Sequence, residues 1–199
     1  PPGAELEECV TRGVAQSAAP GHGLLQTGQT GCYDETGRAI PCQGSGQDGA
    51  CRSGLAWPVP RFNPAGAVVD DLLTGLTWTA DANPAEFPLS WGEALAFVRA
   101  MNARGEHGFA DWRLPNINEL EALVDCSAHS PALPHGHPFR DVREGYWSST
   151  TSMFEPDWAW ALYLTKGAVG VGQKKDAHFS VWAVCDLPSR EGIAGVFDL

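Results

Sequence analysis

Asp111-Trp112-Arg113-Leu114-Pro115-Asn116 runs straight into the periodic stretch Ile117 to Val124. Further on, Tyr146-Trp147-Ser148-Ser149-Thr150-Thr151 is followed by Trp158-Ala159-Trp160, and then by a glycine-bearing segment that ends at Trp182-Ala183-Val184-Cys185. These tryptophan-centred phrases decide how the chain is read. They point to a fold that displays a binding surface, and no comparable phrase points to a reaction.

Working outward, Asn116 is a helix N-cap with a glutamate three residues on at Glu119. Ile117, Leu120, Leu123 and Val124 then form one buried stripe. Upstream, Ser90-Trp91-Gly92-Glu93 is a second capping box. It opens a helix that runs to about Arg104, carries Leu95, Val98 and Met101 on one face, and stops at Gly105. Ala67 to Asp70 and Leu76 to Thr79 read as short strands joined through Leu73-Thr74-Gly75. Residues 146–185 read as antiparallel strands. Trp158, Trp160, Leu162 and Leu164 alternate with Ala159, Ala161 and Tyr163. Thr165-Lys166-Gly167 turns the chain into Ala168 to Gly172, and a loop from Gln173 to Ala177 leads to a last strand, His178 to Cys185. The order predicts an α+β domain in which two helices pack on a small twisted antiparallel sheet.

Composition agrees with a folded, loop-rich domain. The 199 residues are 43% hydrophobic, 19% charged, and include 23 Gly, 15 Pro and eight Trp. The net charge of −11, with no basic run longer than Lys174-Lys175, argues against nucleic acid and against heavily sulfated glycans. No transmembrane run is present, and Pro1 in place of an initiator Met reads as a mature or trimmed chain.

The six cysteines make no Cys-x-x-Cys and no zinc spacing, so disulfides and an extracytoplasmic (secreted, periplasmic or cell-surface) location are expected. Cys32 and Cys42 flank the turn signal Asp34-Glu35-Thr36-Gly37 and suit a bridged hairpin. Cys126 with Cys185, and Cys9 with Cys51, are the simplest remaining pairings, and spacing leaves that connectivity open. The chain divides into an N-terminal arm and the Cys32–Cys42 hairpin over 1–60, with a short helix expected around Glu5 to Gln16, a main domain over 61–187, and a tail over 188–199.

These phrases together resemble the Lcl C-terminal domain family. The residues that carry the resemblance span about 24–186. They include Thr27-Gly28-Gln29-Thr30, Cys32-Tyr33-Asp34, Trp57-Pro58, Thr74-Gly75-Leu76-Thr77-Trp78, Asp81-Ala82-Asn83, Asp111-Trp112-Arg113-Leu114-Pro115 and Tyr146-Trp147-Ser148-Ser149-Thr150. The resemblance implies a C-type-lectin-like fold related to the formylglycine-generating, sulfatase-modifying branch. It also implies secreted or cell-surface binding proteins, bacterial adhesins that bind glycans among them.

Candidate chemistry is sparse. Glu155-Pro156-Asp157 is similar to the calcium–sugar motif of lectins, but lacks a Trp-Asn-Asp partner, and a solvated turn set by Pro156 is the stronger reading. Asp70-Asp71, Asp81 with Asn83, and Gln47-Asp48 are oxygen-rich. A structural Ca²⁺ at one of them is outweighed by turn residues making Asx hydrogen bonds, so no cofactor is expected. His129, His135 and His137 share a Pro-rich loop without a third ligand, and Ser148-Ser149 follows no nucleophile elbow. No catalytic residue and no enzymatic activity are expected.

The tryptophans divide by pattern. Trp78, Trp112, Trp147 and Trp182 read as core, whereas Trp158, beside Met153, Phe154 and Glu155, reads as exposed. Phe154, Glu155, Asp157, Trp158, Lys174, Asp176 and His178, with Lys175 alongside, are the candidate ligand-binding residues. Aromatic faces would stack on sugar C–H groups and a polar rim would meet hydroxyls. The expected function is a non-enzymatic, adhesin-like domain that engages a glycan or a protein through residues 152–179. The alternative is a structural subunit of a cell-surface or envelope assembly, with homo-oligomers among its partners.

Overall fold

The computed structural model describes residues 23–187. Three antiparallel sheets carry most of the regular structure, with short helices between them. The first is the hairpin of β1 (Cys32–Tyr33) and β2 (Ala39–Ile40), followed by the single-turn helix α1 (Asp48–Cys51). The second comprises β3 (Phe62–Ala65), β4 (Val68–Asp71), β5 (Leu76–Thr79) and the C-terminal β9 (Val184–Asp186), in the order β3-β4-β5-β9. The third comprises β6 (Gly145–Thr151), β7 (Trp158–Tyr163) and β8 (Ala168–Gln173), in sequence order.

Two helices lie between the second and third sheets in sequence. In α2 (Trp91–Arg104) the Glu93 carboxylate accepts from Ser90 N at 2.9 Å, while Ser90 Oγ faces Glu93 N at 3.5 Å. Gly105 closes the helix at φ 61°, a left-handed conformation that glycine adopts without a Cβ penalty. In α3 (Ile117–Ala122) Asn116 and Glu119 form the same reciprocal box at 3.0 and 2.7 Å. Both boxes follow the sequence expectation.

Both helices contact the third sheet, but on opposite faces, so that each serves a different hydrophobic cluster. Leu120 and Leu123 join Val69, Trp78, Tyr146, Leu162, Leu164 and Trp182. Ala94, Val98 and Met101 of α2 join Trp112, Leu114, Trp147, Ala159, Ala161, Val181 and Cys185. β4 and β5 are buried at every position because the second sheet is covered on both faces. A strand so placed has no solvent face, so most polar groups on it find partners, although the Trp78 indole N–H has none. Thr77 Oγ1 accordingly donates to Asp70 at 2.9 Å, and Trp182 Nε1 donates to Thr79 O at 3.1 Å.

The expected strand His178 to Cys185 is only partly one. Phe179 bridges Leu89 and Ser180 bridges Tyr146 in parallel before the chain enters β9 beside β5, where Val184 also bridges Arg113. This segment crosses from the third sheet to the second instead of adding a strand beside β8, and Ser180 to Cys185 are all buried. Glycines let it pass closely: a Cβ at Gly172 would strike the Phe179 and Trp147 rings.

Arg61-Phe62 is also among the residues that carry the resemblance, which gave Arg61 no structural role. Its guanidinium pairs with Asp71 through Nε at 3.1 Å and Nη2 at 2.9 Å, and Nη2 also donates to Ala122 O at 2.6 Å. It stacks over Trp57 at 4.5 Å and Phe62 at 4.8 Å, with both charged side chains buried. Arg61 thereby joins Trp57, β4 and the end of α3.

The cysteines follow the sequence reading in part. Cys32 and Cys42 are bridged across the β1–β2 hairpin, with Cα atoms 5.2 Å apart. The Asp34 carboxylate gathers the Thr36 hydroxyl and the Thr36 and Arg38 amides in the turn, which holds its pKa below the usual range. Cys51 is also disulfide-bonded. Cys9, its expected partner, the helix expected over Glu5 to Gln16, and the 188–199 tail lie outside the described residues. The expected Cys126–Cys185 bridge is not formed, and both thiols are free. Cys126 lies in an exposed loop whose amide donates to Thr27 O at 2.9 Å, whereas Cys185 is packed in β9 within the α2 cluster. Burial pushes the Cys185 thiol up to about 12, and burial followed by the Asp125 and Asp48 charges raises that of Cys126.

Two expectations follow. Asp71→Ala leaves the buried Arg61 guanidinium unpaired and costs about 3–5 kcal/mol in chemical denaturation; a loss under about 1 kcal/mol would mean the pair is not buried as described. A thiol reagent near pH 8 labels Cys126 but not Cys185 in the native oxidised protein, and mass spectrometry shows Cys185 labelled only after unfolding.

Candidate functional site

The candidate residues fall on the loop between β6 and β7 and on the turn after β8. The loop closes on itself through Ser152 N to Trp158 O and Trp158 N to Glu155 O, each 2.9 Å. The Lys174 amide donates to Asp157 O at 2.8 Å and joins the loop to the turn. The Lys174 ammonium donates to Thr151 Oγ1 at 2.8 Å and Pro156 O at 2.9 Å, and lies 4.3 Å over the Trp91 ring. Trp91 is fixed in turn, since its Nε1 donates to Ser148 O at 2.9 Å and its amide to Lys174 O at 3.1 Å. Lys174 is therefore a clamp between two segments and not a free rim cation.

The other candidates divide between display and support. Phe154 is 93% and Met153 84% exposed at the loop tip. Glu155 and Asp157 are exposed beside them, with Asp157 Oδ2 3.5 Å from Gln173 Nε2. Asp176 and His178 are exposed, and His178 Nδ1 lies 3.1 Å from Asp176 O. His178 faces the start of α2, where the Glu93 carboxyl is held below the usual glutamate range. The Ser90 hydroxyl and then the Ser90 amide are the main causes, and the His178 charge adds to them.

Trp158 is half-buried, and the more open indole is Trp160, at 36% exposure. The reason is the strand period. Side chains 158, 160 and 162 share a face of β7, opposite Gln173, Val171 and Val169 of β8. Leu162 on this face packs in the first core cluster with Val169 against it, while Trp160 and Trp158 continue the same face into solvent. Ala159 and Ala161 point the other way, into the α2 cluster. The alternation seen in the sequence already placed Trp160 beside Trp158. Trp91 was also missed, although it occupies the first helical position after the Ser90 cap.

The remaining motifs have structural employment. The backbone carbonyls of Glu155, Pro156 and Asp157 are all taken up by Trp158 and Lys174. Asp71 is paired with Arg61, Asp81 Oδ1 accepts from Asn83 N at 2.8 Å in an Asx turn, and Asp48 accepts from the Thr27 hydroxyl. His129 and His135 are exposed, while His137 stacks on Phe139 at 5.9 Å and burial lowers its pKa. Among the described residues no three His, Cys, Asp or Glu side chains cluster as metal ligands. The Ser148 hydroxyl is buried and donates to Trp160 O at 2.7 Å. A cavity lined by residues 26–30, Asp48 and Arg52 measures about 60 Å³, well below the roughly 300 Å³ at which ligand pockets begin.

Fold and site define a disulfide-bearing α+β domain that presents an open aromatic sheet face beside a clamped loop. Residues 67–185 match the model of the Lcl C-terminal domain, and the chain belongs to that family. The match covers β4, β5, the third sheet and the start of β9 with α2 and α3, but begins after β3 and after the hairpin and Trp57 phrases that the resemblance included. No curated protein matches the chain. Among the described residues no helix is long and apolar enough to cross a membrane.

The lowered pKa of Glu93 carries a pH prediction. Its folded value lies below its unfolded one, so the capping bonds add stability above the unfolded pKa and lose it as pH falls through the folded pKa. Glu93→Ala therefore melts below wild type at neutral pH, and the gap narrows toward about pH 3. A gap that stays constant from neutral to acid would contradict this coupling.

Proposed function

We propose that this protein is an extracytoplasmic, non-enzymatic, adhesin-like domain with a C-type-lectin-like fold that takes a glycan or a protein on residues 152–179. The observation that carries the reading is the pair Trp158 and Trp160. Both stand on one face of a regular strand, with Trp160 open and Phe154 and Met153 projecting beside them. Indoles held on a strand offer flat apolar surface at little conformational cost, and Gln173 and Asp157 supply hydrogen-bonding groups at the edge. Family membership and the Cys32–Cys42 bridge support the extracytoplasmic binding role. The non-enzymatic reading draws on Ser148, whose hydroxyl is buried and donates to Trp160 O instead of facing solvent as a nucleophile would.

A glycan array and a surface-protein array, each run on the oxidised protein with calcium and again with EDTA, test the proposal. Saturable binding is expected in both buffers. Trp158→Ala/Trp160→Ala should weaken it at least about tenfold, as for loss of a buried aromatic anchor. The melting temperature of the double variant, compared with wild type, separates loss of contact from loss of fold. Undiminished binding by the folded double variant would remove this face, and binding lost in EDTA would return the Glu155-Pro156-Asp157 turn to consideration.

A further inference from the structure

The chain contains three lysines, and all three stand at the ends of β8: Lys166 before it, and Lys174 and Lys175 after it. β8 is the outer strand of its sheet, paired only with β7. Its six residues, Ala168-Val169-Gly170-Val171-Gly172-Gln173, carry no charge and no proline. Among the described residues, Ala168 to Gly172 make no backbone hydrogen bond beyond the β7 ladder. The outer strand of the other large sheet is different, because Pro64 sits within β3 and removes a donor from that edge. An edge strand left unblocked along its length presents alternate N–H and C=O groups that a further strand can pair with.

The flanking charges narrow what can pair. In an antiparallel match of two copies that sets Ala168 against Gln173 of the other copy, Lys166 faces Lys175 at both ends. Like charges so placed disfavour the self-pairing. A strand with acidic residues outside an uncharged centre meets a lysine at each end instead. Lys166 and Lys175 are exposed and free to reach it, while Lys174 is held by Thr151 and Pro156. The lysines thus select one partner and repel another.

We infer that the outer edge of β8 is a docking edge for an extended peptide strand with acidic residues flanking an uncharged centre. The ligand adds as a fourth strand to the β6-β7-β8 sheet, with backbone hydrogen bonds supplying affinity and the lysines fixing its position. The edge lies within the 152–179 span of the proposed binding region, but it uses the outer backbone groups of β8 and not the Trp158 and Trp160 rings, so the two contacts can succeed or fail independently.

The test uses the full oxidised chain and a fluorescein-labelled peptide, Glu-Glu-Thr-Val-Thr-Val-Thr-Glu-Glu, followed by anisotropy. Saturable binding is expected, with hydrogen-exchange protection gained at residues 168–173. Of two copies of the peptide N-methylated on opposite edges, one should lose binding, because one edge must pair. Lys166→Glu/Lys175→Glu should weaken the acidic-flanked peptide about tenfold and favour a lysine-flanked version. The Trp158→Ala/Trp160→Ala protein should still bind the peptide, which separates this edge from the proposed ligand face. No saturable binding of the parent peptide, equal binding by both N-methylated copies, or an unchanged preference in the lysine variant would each overturn the inference.

Discussion

The structure depends on one buried crossing. Ser180 to Cys185 leave the edge of the third sheet, pass beneath α2, and finish as the strand that closes the second sheet beside β5. Every residue of the segment is buried, and its hydrogen bonds run to Gly145 and Trp147 of β6, to Arg113 and to Thr79, on three separate stretches of chain. Trp182 lies at its centre, within 5.3 Å of the Trp78, Phe139 and Tyr146 rings. Large aromatic rings in edge-on contact contribute more than their buried area alone. A chain with short strands and abundant glycine gains a common core by passing one fully buried segment through it.

That crossing explains why the display face is stiff. Phe179, just before the buried segment, packs edge-on to Trp147 and Tyr163. Gly170 and Gly172 leave room for the Tyr163 and Phe179 rings on the inner face of β7 and β8. With its inner face filled, the sheet presents Trp158 and Trp160 outward from a backbone that is hydrogen-bonded on both sides at β7. A site on a strand supported in this way is held more tightly than one on a free loop.

Legibility in the sequence follows the range of the interaction. Ser90 with Glu93, Asn116 with Glu119, and the turn between Cys32 and Cys42 are contacts across a few residues, and each was readable. Strand alternation was readable too, but alternation gives faces and not what covers them. It put Trp160 on the face of Trp158 without revealing that α3 covers the Leu162 end and leaves the Trp160 end open. The route of Ser180 to Cys185, the Arg61–Asp71 pair and the two unpaired cysteines depend on contacts between distant stretches. Cysteine parity suggested a third bridge because it carries no geometry, and only packing places Cys185 in the core and Cys126 at the surface.

Lys174 shows how a residue of the right type can hold a different role. By type and position it reads as a rim cation for a ligand. Its ammonium instead replaces water with the Thr151 hydroxyl, the Pro156 carbonyl and the Trp91 face. A half-buried cation over an indole is worth somewhat more than an exposed one, and here it fastens a loop whose own apolar side chains, Met153 and Phe154, find no cover. A loop tip so exposed would ordinarily fold back onto the body of the domain to hide those side chains. Anchored at its base by Lys174, with the Trp158 amide closing it on Glu155, it keeps them in solvent. The clamp therefore contributes to display, and the charge that looked like a contact is what keeps the contacts presented.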